Sequence, residues 1–402
     1  MNKSNLVRGS IWEIIRILPN LSIKGETPFI HRLIKIASPT DPDVGTTESD
    51  NVRTSWQNLL SSFQDTFGGK YIPAVLAVHK DFYSKFAIEG VKAMEAMEAI
   101  KAFRNIAAVC TILPVRGNEI TTQNIVGPAY SDFFDLYPMA PHVSGGVVFQ
   151  AGTVRGSHKR PGFTGQCSPH IVYVKPRTFN IDEELWSDLI RAWDLCYYSK
   201  KNIKFFRRIF RSLEVAFHAL RVPADQFTTI FDIGIKIALW ISALEILSHP
   251  IRGRVDQAKV INFLTSHAWH SRQIKLRKYP SRNNSRTRIT LIERLIQDFY
   301  NARHDFLHGN PTSERSLYPF GDKRRRNLDD LGIFIYRAVL LVALKKSLPS
   351  RKAKVPQDNT KFWRWIHKSQ GHLWLEESLR SSLWGSIYED AILTGLKHSS
   401  LE

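Results

Sequence analysis

The chain has 402 residues, 43% hydrophobic and 23% charged, a globular composition that excludes disorder as its main state. Twenty-two glycines and 19 prolines exclude collagen-like and low-complexity classes, and the length predicts two or three domains. Fifty-six Lys and Arg against 37 Asp and Glu give a net charge of +19, which attracts a polyanion: nucleic acid first, an anionic membrane surface second.

Near the N-terminus, Glu13 and Arg16 interrupt the apolar stretch that a signal peptide would need. Residues 46–56 read as a polar break. A helix is expected over Ala87–Leu113, where helix formers carry apolar residues at three- and four-residue steps. Residues 143–154 and 170–176 are short, β-branched and bounded by Gly or Pro, so they read as strands around a basic loop. Residues 1–179 form a mixed α+β region that can act as a sensor, and the sequence assigns it no trigger or partner.

From Asn180 the pattern is helical. Asn180 and Glu183 make a capping box, and a helix, straight or kinked, can run to Leu220 before Pro223. Further helices are expected over Phe227–Ser248, 255–266, Thr290–Leu307 and Asp329–Ser347. Gly309, Pro250 and Pro349 supply stops. Asp232, Lys236 and Glu245 make the second of these costly in a membrane, and Ile333–Leu344 is too short to span and holds Arg337. No stable membrane insertion is expected. The fold class is mainly α: an α+β region, an antiparallel helical bundle over 180–350, and a Trp-rich helical tail over 351–402. In that tail Trp363, Trp365, Trp374 and Trp384 are expected to anchor helices on the bundle, the alternative being a sticky surface.

Cys110, Cys167 and Cys196 are too few and too scattered for a disulfide framework or a four-Cys zinc site, and they suit a reducing, cytoplasmic compartment. Cys167 and His170 lack a second ligand pair. Gly145-Gly146 lacks the Lys-Ser/Thr of a P-loop, and neither His-Glu-x-x-His nor Gly-x-Ser-x-Gly occurs. No cofactor and no metal is called for.

The most informative segment is Leu291–Asn310, LIERLIQDFYNARHDFLHGN, in which His308 follows Arg303 by five positions. On a helix His304 and His308 share a face, while Arg303 and Leu307 share a neighbouring one. Imidazole moves protons near neutral pH, and guanidinium stabilises developing negative charge on a phosphate. The same cations equally suit a helix C-terminus, where the dipole favours them. Glu245, on the preceding long helix, either orients Arg303 or His308 or pairs with another cation. Tyr300 reads as packing.

Three features coincide: Ala243-Leu244-Glu245 on one helix, FYNARHDFLHG on the next, and a last helix with Arg337. Together they resemble the Apea-like branch of the HEPN ribonuclease superfamily over roughly 180–350. Residues 102–110 and 130–138 are faintly reminiscent of the N-terminal regions of such proteins. The resemblance implies a HEPN-like bundle and a metal-independent endoribonuclease in which Arg303 and His308 are catalytic and His304 and Glu245 support them. It also implies 2′-OH attack giving a 2′,3′-cyclic phosphate and a 5′-OH, a homodimer, and a prokaryotic role in antiphage defence or abortive infection. The rival reading is a non-catalytic basic RNA-binding or dimerisation scaffold.

Three basic clusters accompany the motif. Arg272, Lys275, Arg277, Lys278, Arg282, Arg286 and Arg288 precede the motif helix, and Lys323, Arg324, Arg325 and Arg326 follow it. Their position predicts RNA contacts. Lys200, Lys201, Lys204, Arg207, Arg208 and Arg211 interleave with Phe205, Phe206 and Phe210, a pattern that also suits a membrane surface.

Overall fold

The computed structural model describes residues 7–8, 11–46, 50–86, 91–122, 127–141, 147–151, 154–158, 174–176, 179–201, 203–222, 228–249, 256–269, 274, 276, 278–310, 313–323, 325–348, 375–376 and 378–381. They fall in two compact units: Met1–Ile112 with Val126–Ile181, and Leu113–Ile125 with Asp182–Glu402. The chain is mainly α with a mixed α+β N-terminal region, as its composition of elements predicts.

The first unit is built on a six-stranded mixed sheet. Its strands are β1 (Val7–Arg8), β2 (Trp12–Leu18), β3 (Ile30–His31), β4 (Ile34–Ala37), β5 (Val44–Thr46) and β6 (Ala74–His79), in the order β1-β5-β2-β6-β4-β3. β5 runs parallel to β1 and β2, and the other pairings are antiparallel. β6, AVLAVH, is buried along nearly its whole length, which explains its unbroken apolar run. Helix α1 (Asp50–Ser61) buries Val52, Trp56, Leu59 and Leu60 in a core shared with Ile14, Ile17, Val44 and Val75. Residues 50–56 are therefore helical rather than a break, because an apolar residue every third or fourth position outweighs their polar composition. A short helix α2 (Lys80–Lys85) follows the sheet, and a meander of β7 (Met139–Pro141), β8 (Val147–Ala151) and β9 (Val154–His158) lies later in the unit. β9 begins inside the expected 143–154 strand and runs into the start of the expected loop. Of the 170–176 strand, only 174–176 lie among the described residues, where Val174 bridges to Leu21.

Helix α3 (Val91–Thr122) runs well past the expected end at Leu113 and carries Pro114 inside it. Its residues 113–122 belong to the second unit.

The second unit is a helical bundle of α4 (Glu183–Trp193), α5 (Ile203–Ala219), α6 (Ile230–Ser248), α7 (Gln257–Thr265), α8 (Leu291–Leu307) and α9 (Leu328–Ser347), with a two-stranded hairpin of β10 (Lys278–Pro280) and β11 (Arg288–Thr290) leading into α8. The helix expected from 180 to 220 divides in two. After α4 the backbone loosens into a π-turn over Asp194–Tyr198, and Lys200 adopts φ 51°, a left-handed conformation that ends the helix. The cap of α4 is Asp182, which accepts from the Leu185 amide at 3.1 Å, not Asn180. Arg337, buried in α9, forms an ion pair with Asp182 and approaches Glu184 at 3.7 Å, so it ties the start of α4 to the last helix.

Two glycines permit close helix contacts. A Cβ on Gly234 of α6 would lie 2.4 Å from the Phe306 ring of α8, and one on Gly332 of α9 would lie 2.4 Å from the Trp240 ring of α6. Trp240 then donates to Asp329 at 2.9 Å, and Tyr336 lies 3.0 Å from the Ser212 hydroxyl. No helix among the described residues is long and apolar enough to cross a membrane. Cys110 and Cys196 are buried, while Cys167, His170 and the four tail tryptophans lie outside the described residues.

Candidate functional site

Helix α8 is started by a reciprocal capping box, Thr290 with Glu293, and packs through Leu291, Leu295, Phe299 and Ala302. Its amphipathic stripe turns Arg303 toward α6. There Arg303 Nη1 donates to Glu245 Oε1 at 2.9 Å, and the Tyr300 hydroxyl donates to the same oxygen at 3.0 Å. Tyr300 is thus a polar member of the site as well as a packed ring. Burial and the neighbouring Glu245 carboxylate push its phenol further above its ordinary value, so it stays a donor at any physiological pH.

The Arg303–Glu245 pair is neither exposed nor sealed: the side chains are 28% and 18% exposed. Arg303 Nε is buried with no hydrogen-bond partner among the described residues. Nε is sealed from solvent, so an incoming anion would meet only the part-exposed remainder of this guanidinium, whose fork matches phosphate oxygens.

His304 and His308 lie on the exposed side of the same helix end, with ring centroids 4.5 Å apart at 49°. His308 is the residue that closes the helix. Its amide donates to the His304 carbonyl at 3.0 Å, and Gly309 follows at φ +69°. The structure therefore brings Glu245 to Arg303 and His304 to His308. On the helix, Arg303 points about 100° away from His304.

Five residues earlier on α8 sits a site that the sequence reading passed over. Asp298 is fully buried and accepts from Arg282 at 3.2 Å, from Arg294 at 3.3 Å on both oxygens, and from the Phe320 amide at 3.0 Å. Phe320 is held at φ 60°, and its ring lies under the Arg294 and Arg325 guanidiniums at 5.2 and 4.9 Å. The signal was present: Asp298 falls in the apolar stripe of α8, four residues after an arginine.

The expected RNA-contacting cations divide accordingly. Arg282 pairs with Asp298, Lys323 with Glu314, Arg325 with Asp322 at 3.2 Å, and Arg326 with Glu119 at 3.5 Å. Lys278, Arg286 and Arg288 are exposed. Arg272, Lys275, Arg277 and Arg324 lie outside the described residues.

A second opening, of about 330 Å³, is lined by Thr265, His267, Trp269, Ile274, Thr290 and Ile292 beside the start of α8, the opposite end of the helix from Arg303. Among the described residues no group of three or more His, Cys, Asp or Glu is placed to hold a metal ion. Comparison of the chain with protein-family models, with curated proteins and with solved structures returns no match.

Proposed function

We propose that the chain is an endoribonuclease of the HEPN type, working without a metal on a cytoplasmic RNA. The observation that carries this reading is the half-open Arg303–Glu245 pair, one residue along α8 from the paired imidazoles of His304 and His308. Glu245 and Tyr300 fix the arginine, whose remaining donors meet the scissile phosphate and stabilise the charge that builds on it. His308 moves the proton on or off the ribose oxygens, with His304 orienting it. Attack by the 2′-OH then leaves a 2′,3′-cyclic phosphate and a 5′-OH, and no group beyond these side chains is required. A role in antiphage defence or abortive infection, with the first unit sensing a trigger, belongs to the same reading.

A homodimer is also proposed. Phe231 (71% exposed) and Ile235 (51%) lie on either side of Gly234, against which Phe306 packs, and Leu307 (54%) is the next residue along. This apolar patch adjoins the histidine end of α8, so pairing two copies across it would line one cleft with both sets of site residues.

The test is incubation of purified protein with total RNA in EDTA, beside Arg303→Ala and His308→Ala, with analysis of product ends. Cyclic-phosphate ends from the wild type alone support the reading. Strict dependence on Mg²⁺, or equal cleavage by the variants, sinks it. Salt-sensitive RNA binding with no cleavage by any form would leave the scaffold reading, which the commitment of Arg303 Nη1 to Glu245 favours.

A further inference from the structure

We infer that the outward face of α5, carrying Lys204, Arg207 and Arg211, is the main surface on which this protein tracks a single-stranded RNA backbone. The inference rests on the reading that the protein acts on RNA, and it moves the RNA contacts away from most of the loops that flank α8.

Lys204, Arg207 and Arg211 are all exposed and stand three and then four residues apart, so they line one face of the helix. Lys200 and Lys201 extend the line at the N-terminal end. The same face changes character at Glu214, which pairs with His218 at 3.6 Å, so the stripe has a defined end. Lys201, Lys204 and Arg211 form no ion pair among the described residues. In the flanking loops Lys278, Arg286 and Arg288 are exposed, but Arg282, Lys323, Arg325 and Arg326 each already face a carboxylate, and a cation neutralised by its own fold contributes little to a phosphate backbone.

The other face of α5 decides between RNA and a lipid surface. Phe206, Ile209, Phe210 and Leu213 are buried in the bundle. Phe205 lies under the Arg208 guanidinium at 4.5 Å, and Arg208 turns inward to donate to the His249 carbonyl at 2.5 Å. Burial holds that guanidinium below its ordinary value. No apolar ridge is left to enter a bilayer, and what remains is a row of cations.

The stripe also lies at the right end of the bundle. Arg208 reaches His249, and Ser212 donates to the Ala243 carbonyl at 2.8 Å. Both contacts lie near the C-terminal end of α6, the end from which Glu245 reaches Arg303.

The test uses a fluorescent 2′-O-methyl RNA of about 20 nucleotides, which cannot be cut by 2′-OH attack, so binding is scored apart from cleavage. Anisotropy titrations over a salt series compare the full chain with a Lys204→Gln/Arg207→Gln/Arg211→Gln variant. The expected result is at least ~10-fold weaker binding, with a log–log salt slope lower by about 2, since each single-strand phosphate contact contributes roughly 0.7. A charge-preserving variant, Lys204→Arg/Arg207→Lys/Arg211→Lys, should bind as the wild type does. Unchanged affinity and slope in the Gln variant would overturn the inference, and so would equal loss in the charge-preserving one. Vesicles of phosphatidylserine and phosphatidylcholine supply the second arm: vesicle binding lost in the Gln variant while RNA binding persists would overturn it in favour of a membrane. Intact RNA binding with no cleavage of natural RNA would count against the ribonuclease reading alone.

Discussion

Two ion-pair sites share helix α8, and their difference is instructive. At Asp298 a fully buried carboxylate has both oxygens occupied by Arg282, Arg294 and the Phe320 amide. At Arg303, five residues on, the guanidinium is part-exposed, one nitrogen is fixed by Glu245, and Nε has no hydrogen-bond partner among the described residues. The first site is closed: every strong acceptor is spent on holding the hairpin before α8 and the turn after it. The second has donors left over. A buried charge that is fully paired serves the fold, and a fixed charge with spare donors can serve a ligand.

The sharpest way to break this contrast is to remove each charge in turn. Arg303→Ala and His308→Ala should each lower RNA cleavage ~10²–10⁴-fold while leaving the thermal transition nearly in place, because both residues reach solvent. A collapse of the melting temperature in Arg303→Ala would make its pair structural. Asp298→Ala should do the reverse. Leaving two arginines facing a void costs about 3–5 kcal/mol, read by urea denaturation as a lower midpoint. A variant as stable as the wild type would show that Asp298 is dispensable.

The packing that presents the open site can be tested at Gly234. Gly234→Ala sets a methyl against the Phe306 ring and should cost roughly 1–3 kcal/mol, with loss of activity beyond what the fraction unfolded explains. Proportional loss would detach the α6–α8 contact from function.

The half-buried carboxylate of Asp330, near the start of α9, supplies a pH test of the closed-versus-open distinction. Burial and the neighbouring Asp329 push Asp330 from 3.8 up to about 6, against the pull of Arg116, which lies 3.9 Å away. The folded chain then binds this proton more tightly than the unfolded chain. The stability it contributes is complete below about pH 4 and is lost as pH rises through 6, on the order of 3 kcal/mol in all. Asp330→Asn should flatten that part of the stability–pH curve, and an unchanged curve would assign the slope to other groups. The smallest effect is expected at the exposed Lys323–Glu314 pair. Lys323→Ala should change stability by no more than ~0.5 kcal/mol and leave the RNA salt slope nearly unchanged, a larger drop in slope meaning that the loop does contact phosphate.

The sequence by itself determined the bundle. Apolar residues at three- and four-residue steps, with Pro250, Gly309 and Pro349 as stops, locate α6, α8 and α9 to within a few residues. Glu245 could be named as a possible partner of Arg303 because a long apolar helix offers few acids. Several features waited for the tertiary structure. The six-stranded sheet was hidden because its strands are short and its central strand, buried throughout, shows no alternation. The break at Lys200 depends on a left-handed backbone that lysine composition does not announce. Which cations are spent and which are available was also undecided, since opposite charges far apart in sequence look identical until folding sets Arg282 on Asp298 and Arg326 on Glu119. Periodicity is a local property and is written in the chain. Charge compensation is a property of distance in space, and only the fold fixes it.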